Sequence, residues 1–422
     1  MMKSPWTTKK LGDKEYFEIL ESGVEKFEGE KEYLSTSSIE GNKIIIPECK
    51  ITYQKRPSRA NMQPRLNSVW FARMINTIKV YSFTESNKEE IDKYILSTGF
   101  AGILCNPEKV DPRYLEKIFL SKWFNDLKDS LASDKAIQKS LNNDDIANLE
   151  IPLPPLPIQQ KIVKILDTIQ LAVEIQEKII EKTKELKKSL MNLLFHYGLA
   201  GLRVKELASS RVGELTSSEI KKLGLRLKKT EIGEIPEDWE VVRLGEVIEI
   251  FDSKRIPLSE KERQNMKGSY PYCGANGVID YINDYIFDGE YVLLAEDGGY
   301  WGPFEESSYI MKGKFWVNNH AHIFRALKDK AINFYLMSIL NYLNLNDYIG
   351  GATRGKLNQS IMRNIKIPLP PLSEQQEIAE ILQTIDQKIE IEKKKKELYE
   401  ELFKTMLNKI MSQEIDVNLL NY

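Results

Sequence analysis

Cysteine and histidine are scarce, three of each in 422 residues. Cys49, Cys105 and Cys273 lie far apart and form no CxxC pair. That argues against a disulfide framework or a zinc site, and suits a reducing, cytoplasmic setting. No apolar run approaches the roughly 18 residues of a membrane span, and the opening Met-Met-Lys-Ser-Pro-Trp lacks the apolar stretch of a signal peptide. The formal net charge is only −2, so any nucleic-acid binding must rest on local patches or on a partner's charge. No Gly-rich fingerprint opens a βαβ unit, so no cofactor is expected in this chain. Gly350-Gly-Ala-Thr-Arg-Gly355-Lys356-Leu357 imitates a phosphate loop, but Leu357 stands where a Mg²⁺-binding hydroxyl belongs. His320-Ala-His322 lacks neighbouring cysteines and reads as a hydrogen-bonded or nucleic-acid-facing pair rather than a metal site. No Ser-His-Asp, Cys-His or proton-transfer carboxylate arrangement is evident. The chain reads as a binding protein.

What the sequence does have is a repeat. Ile151-Pro-Leu-Pro-Pro-Leu156 returns as Ile367-Pro-Leu-Pro-Pro-Leu372, each followed by a Gln pair, Gln159-Gln160 and Gln375-Gln376. Aligned without gaps, residues 151–195 and 367–411 agree at 21 of 45 positions, which marks an internal duplication. Upstream, Trp6-x4-Leu11-Gly12 is echoed by Trp239-x4-Leu244-Gly245, 145 and 128 residues before the respective Ile-Pro-Leu runs. The duplication therefore spans domain and helix alike: 1–150 globular, 151–200 helix with a Pro-rich entry, 201–234 linker, 235–366 globular, 367–415 helix.

From Ile158 a 4-3-4-3 spacing runs unbroken through Ile162, Ile165, Ile169, Ala172, Gln176, Ile179, Thr183, Leu186, Leu190 and Leu193. This is heptad patterning for a coiled coil. A flanking stripe, Leu166, Val173, Ile180 and Leu194, is apolar too, so the helix must bury a second face. Gly198 and Gly201 end it. In the second helix Glu392 and Lys393–Lys396 interrupt the apolar stripe. Antiparallel pairing with Ile158 near Ile410 would set Gln176 opposite Glu392, a polar pair that could fix register. The globular parts read as α+β, with short strands such as Lys43–Ile46 and Ile78–Phe83 and a helix over Asp111–Lys128. Ser217-Ser-Glu-Ile220 suggests a capped helix in the linker.

Gly351-Ala-Thr-Arg-Gly-Lys-Leu-Asn-Gln-Ser360, running through Ile367–Leu372 to Glu374-Gln-Gln, resembles the conserved region of specificity subunits of type I restriction–modification enzymes. Gly233-Glu-Ile-Pro-Glu-Asp-Trp239, at the entry to a new domain, does so too. The resemblance implies two target-recognition domains, each reading one half of a bipartite, asymmetric DNA site. It implies two long helices packed as an antiparallel coiled coil, acting as spacer and as docking surface for two methyltransferase subunits. Those partners would carry S-adenosylmethionine and methylate adenine; a translocase–endonuclease subunit using ATP and Mg²⁺ would add restriction. The chain itself would be non-catalytic. The Gly-Ala-Thr-Arg-Gly-Lys segment has no counterpart in the first half, where Lys135-Ala-Ile-Gln-Lys139 holds the same register; only Leu141-Asn142 matches Leu357-Asn358.

On this reading the DNA-contacting candidates are the cations and amides that pair with base edges and phosphates. In the first domain they are Arg56, Arg59, Asn61, Gln63, Arg65 and Asn67, and in the second Arg354, Lys356, Asn358 and Gln359. Lys254, Arg255, Tyr272, Asn276, Trp301, Asn318, Asn319 and His320 form a secondary set. Leu166, Val173, Ile180 and Leu194 form a stripe that either docks a partner or packs against the protein's own domains. The competing expectation is a coiled-coil scaffold whose two domains bind proteins.

Overall fold

Each half of the chain closes on itself through a two-stranded antiparallel ribbon. Thr7–Lys10 pairs with Glu150–Leu153, and Glu240–Arg243 pairs with Lys366–Leu369. The second strand of each ribbon is the Ile-Pro-Leu run, so the head's first and last strands meet where the long helix begins. The computed structural model describes residues 6–133, 140–202, 226–349, 355–415 and 417. The chain forms two units, residues 1–177 with 394–422, and residues 178–393. Both long helices, α4 (Leu156–Tyr197) and α8 (Leu372–Met411), are shared between the units.

In the first unit an antiparallel sheet runs in the order Phe17–Leu20, Phe100–Cys105, Ser68–Ala72, Val80–Phe83. Helices α1 (Pro112–Leu120) and α2 (Lys122–Ser133) cover it. Phe71, Phe119 and Phe124 form the aromatic centre, with ring centroids 4.5–5.3 Å apart. The single helix expected over Asp111–Lys128 is two helices. Ser121 breaks it: its hydroxyl donates to the Ile118 carbonyl and accepts from the Phe124 amide, a local bonding pattern that competes with helix continuation. A second, mixed sheet runs Cys49–Ile51, Lys31–Leu34, Tyr94–Ser97, Ala60–Met62. The expected strands near 43 and 78 are shorter, Lys43–Ile44 and Val80–Phe83. Pro47 cannot donate to a ladder, and Ile45 and Ile46 are exposed.

The second head is built on a six-stranded sheet in the order Ile248–Ile250, Ala321–Ala326, Phe287–Ala295, Ser308–Val317, Lys267–Gly274, Gly277–Ile282. Only the contact between Ser308–Val317 and Lys267–Gly274 is parallel. Two short helices, α5 (Glu260–Asn265) and α6 (Asn333–Tyr342), flank it. A hairpin, Leu227–Thr230 with Gly233–Pro236, leads in; the Ser217 region lies outside the described residues. Both heads are α+β, and their sheets differ in strand number and order.

The heptad positions near the ends of α4 are covered as their spacing predicts, whereas Leu186 is exposed. In the first unit Ile158, Ile162, Ile165 and Ile169 share a core with Phe403, Met406, Leu407 and Ile410. In the second, Leu190 and Leu194 share one with Ile378 and Leu382. In each unit the start of one helix packs on the end of the other, so the pair is antiparallel. Glu177–Lys396, at 2.9 Å, and Lys187–Asp386, at 2.5 Å, are ion pairs between the helices within the first and second unit respectively. Gly198 takes the left-handed φ of +63° that ends α4. Gln176 carries a buried Oε1 without a hydrogen-bond partner, whereas Glu392 is buried beside Lys388 at 3.4 Å.

The two joints repeat bond for bond. Gln159, fully buried, donates to the carbonyls of Lys109 and Pro154 and accepts from the Asp111 amide. Gln375, equally buried, donates to Lys330 and Pro370 and accepts from Ile332. Tyr114 Oη donates to the Pro152 carbonyl at 2.9 Å, and Tyr335 Oη to that of Pro368 at 2.8 Å. The Leu11 amide binds the Leu149 carbonyl, and the Leu244 amide that of Ile365. Asn142 and Asn358 precede matching five-residue helices, α3 (Asn143–Ala147) and α7 (Gln359–Arg363). Gly12 and Gly245 face the last residues of those helices. A Cβ on Gly12 would lie 2.9 Å from the Ala147 Cβ, and one on Gly245 3.0 Å from the Arg363 Cβ. The Trp-x4-Leu-Gly echo is thus a packing requirement. Gly12→Ala should destabilise the first unit by about 1–3 kcal/mol in denaturant unfolding; unchanged stability would show that α3 yields freely.

Candidate nucleic-acid interface

In the first head the six nominated residues do not form one patch. The loop between strands Cys49–Ile51 and Ala60–Met62 carries Arg56 and Arg59. Arg56 stacks on the Tyr53 ring, 4.3 Å from its centroid, and donates to the Tyr53 carbonyl; Arg59 is exposed. Asn61 lies half-buried in the edge strand Ala60–Met62. Gln63 accepts from the Glu25 amide at 2.8 Å, and Arg65 faces Glu18 at 3.6 Å. Both line an open cleft of about 1030 Å³ that also holds Glu18, Glu21 and Glu25. Three carboxylates outnumber the cations Lys14 and Arg65 in its lining, a balance that disfavours a phosphate cradle. Asn67 sits in a left-handed turn (φ 63°) whose carbonyl accepts from Cys105, and lines a separate hollow with Arg113 and Gln160. Arg56 and Arg59, with exposed Lys55 beside them, remain as cations presented on this loop.

In the second head, loops converge at one end of the six-stranded sheet. Asn276, in the turn of the Lys267–Ile282 hairpin, donates to the Gly298 carbonyl. His320, 52% exposed, pairs with Asp297 at 2.5 Å, and Asp297 bridges to Lys356 across the backbone. Asn319 and Asn358 are exposed at this end, and Tyr300 is 62% exposed. An exposed ring among amides and cations suits base stacking. Tyr300 escaped sequence reasoning; Gly298-Gly299 just before it was the signal, since paired glycines present a side chain on a tight turn. Arg354 lies outside the described residues.

Beneath this surface is a buried ionic network. His322, with no exposed area, has Nδ1 2.6 Å from Asp252 Oδ2 and Nε2 2.6 Å from the Leu357 carbonyl. Arg255 donates to Glu296 at 2.6 Å and to the Ala321 carbonyl, and its guanidinium is 3.7 Å from Asp252. Lys356 pairs with Glu296 at 3.0 Å, and Gln359 donates to Asp252 at 2.9 Å. Burial alone would raise the Asp252 carboxyl, but hydrogen bonds from His322, the Ile323 amide and Gln359 hold it below its ordinary value. That stabilisation is complete above the unfolded carboxylate range and is lost as pH falls through the depressed value. Asp252, Glu296 and His322 offer ligand atoms within 4.8 Å of one another. Those atoms are engaged by hydrogen bonds, and two cationic side chains already neutralise the carboxylates, so the cluster reads as an ionic network, not a metal centre.

The network corrects the nominations in this head. Arg255 and Gln359 are committed inward. Tyr272 is core, its hydroxyl accepting from the Leu258 amide; Asn318 is buried and caps His320; Trp301 is half-buried, donating to the Ala295 carbonyl. Lys254 is exposed, with its ammonium 5.2 Å from the Phe251 ring centroid. Lys356 and Asn358 keep exposed side chains.

The family model for the type I restriction modification DNA specificity domain matches residues 3–185 and 236–401. The chain belongs to this family. A Methanocaldococcus jannaschii sequence assigned as the specificity subunit of type I restriction enzyme MjaX is 32% identical over 327 residues, 74% of this chain and 70% of that one. The MjaVIII specificity subunit of the same organism is 33% identical over 301 residues, 65% of this chain and 64% of the relative. The crystal structure of a type I restriction–modification S subunit from M. genitalium shares the fold, with a TM-score of 0.55 at 15% identity over 97% of each chain. As a specificity subunit the chain is a DNA-recognition component without catalysis of its own. Among the described residues no helix is long and apolar enough to cross a membrane.

The stripe nominated for partner binding also needs correction. Leu166 and Leu194 are fully covered, in the cores of the first and second units. The second buried face of α4 was real, but its own head occupies it; only Val173 and Ile180 keep partial exposure. The helices' exposed apolar side chains lie elsewhere: Leu171 (56%), Ile175 (47%), Leu398 (64%) and Leu402 (43%) in the first unit, and Leu186, Leu372 and Ile391 in the second.

Removing a cation from the network should cost more than removing one from a loop. Arg255→Ala should destabilise the second unit by on the order of 3 kcal/mol, since two buried carboxylates lose a partner. Arg59→Ala should leave thermal stability unchanged. Equal melting of the two variants would contradict the assignment of Arg255 to the interior.

Proposed function

We propose that each head of this specificity subunit reads one half of a bipartite, asymmetric DNA site. The duplicated joint carries this reading: one frame, repeated bond for bond, holds two unlike heads. A duplicated mount with diverged sheets and loops is what two different half-sites require. In the first head Arg56 and Arg59, with Asn61 at the sheet edge, are the proposed contacts. In the second they are Arg354, Lys356, Asn358, Asn276, His320 and Tyr300. Gln63, Arg65 and Asn67 belong to the rim of the first head, the cleft carboxylates keeping Gln63 and Arg65 off the phosphates. The helix pair fixes the gap between half-sites. Methyltransferase subunits, two per chain, bring S-adenosylmethionine, and a translocase–endonuclease subunit brings ATP and Mg²⁺ chemistry.

Leu171, Ile175, Leu398 and Leu402 are the proposed methyltransferase docking face on the first unit. Exposed apolar side chains on paired helices mark an interaction surface. Leu398→Glu with Leu402→Glu should weaken co-purification of the methyltransferase subunit about tenfold or more, a loss of about 1.4 kcal/mol or greater, with unchanged melting. Undiminished assembly would remove this face from the account.

The function itself is tested by co-expressing the chain with a type I methyltransferase subunit and sequencing adenine methylation across the host genome. A bipartite asymmetric motif with a fixed gap is expected. A continuous motif, or none despite an assembled complex, would overturn the two-head reading.

A further inference from the structure

The second head presents residues 355–359 as a strap over the end of its sheet, and Lys356, Leu357 and Gln359 are each bonded to one buried cluster. Leu357 is anchored through its carbonyl to His322 Nε2 at 2.6 Å, through its amide to the Glu296 carbonyl at 2.8 Å, and through a side chain with no exposed area. Lys356 is held by Glu296 at 3.0 Å and Gln359 by Asp252 at 2.9 Å. The cluster is fixed in turn by the Ile323 amide, which donates to Asp252 at 2.9 Å, and by Arg255 on Glu296. His322 bonds both to the cluster and to the strap backbone, with each ring nitrogen facing an oxygen acceptor. Among the described residues the first head has no such cluster at the matching point. There Leu141 is buried and its amide bonds to the Arg73 carbonyl, while its own carbonyl takes Arg73 Nη1 at 3.3 Å.

We propose that His322 is a positioning residue for DNA recognition by the second head, setting the height and register at which Lys356 and Asn358 meet the DNA. It touches no DNA itself. A strap that drifts by about 1 Å would lose the alignment that direct base readout demands. The inference rests on the reading that the second head contacts DNA.

The test uses the full chain assembled with the methyltransferase subunit and reads the methylated motif base by base. His322→Ala should leave the first half-site and the gap intact while at least one position of the second half-site tolerates additional bases. His322→Gln, whose amide can still donate to the Leu357 carbonyl, should restore selectivity in part. A merely structural His322 would lower the amount of methylation without changing which bases are accepted, and that result overturns the proposal, as does an unaltered motif. If His322→Ala fails to fold, Gln359→Met removes a single strap anchor and should relax the same half-site; unchanged selectivity there counts against the proposal equally. A wild-type complex giving no bipartite motif would instead defeat the two-head reading.

Discussion

A buried glutamine holds each head to the helix pair. Where a proline-rich strand turns into a helix, the carbonyls of Pro154 and Pro370 and the loop backbone before α1 and α6 would be sealed from water without partners. Gln159 and Gln375 satisfy three such groups apiece. Each unsatisfied buried group costs about 1–3 kcal/mol, so no apolar residue substitutes at this point. The consequence is geometric as well as energetic. A side chain bonded on three sides fixes the angle at which strand, loop and helix meet, and the tyrosine hydroxyl on Pro152 or Pro368 locks the adjoining turn.

From that constraint follows a division of labour within the chain. The ribbon, the short helix after Asn142 or Asn358, the glycine against its last turn and the first turns of the long helix form a frame that tolerates little change. The sheets and loops mounted on it are free to differ, and they do. The first head offers a stacked arginine loop beside an acidic cleft; the second offers converging loops over a buried ionic network. One fold can thus carry two recognition surfaces without remaking its attachment to the helices.

The frame was legible in the sequence because its signals are local or repeated in register. Heptad spacing gave the coiled-coil helix, the family resemblance its antiparallel pairing, and Gly198 its end; the Leu141-Asn142 match was visible without its meaning, the start of a short helix in each half. The Trp-x4-Leu-Gly echo was visible before its reason, the close approach of Ala147 or Arg363. Tyr114 and Tyr335 were not legible, because their distances to the proline they bind differ and no period links them. The recognition surfaces were only partly readable. Arg255 and Gln359 look like base readers until the fold brings Glu296, 41 residues from Arg255, and Asp252 beneath them. Leu166 and Leu194 were correctly read as a second buried face, but sequence periodicity does not say which surface covers it.

The most direct test of the account is hydrogen–deuterium exchange on the full chain carrying Gln375→Leu. If each head is fixed independently by its own glutamine, amide protection should fall at Ile332 and through the entry of α8, as local opening becomes easier. Protection at Asp111 and through the entry of α4 should match the wild type. Equal loss at both joints, or none at either, would contradict the claim that two separate glutamine joints hold this specificity subunit together.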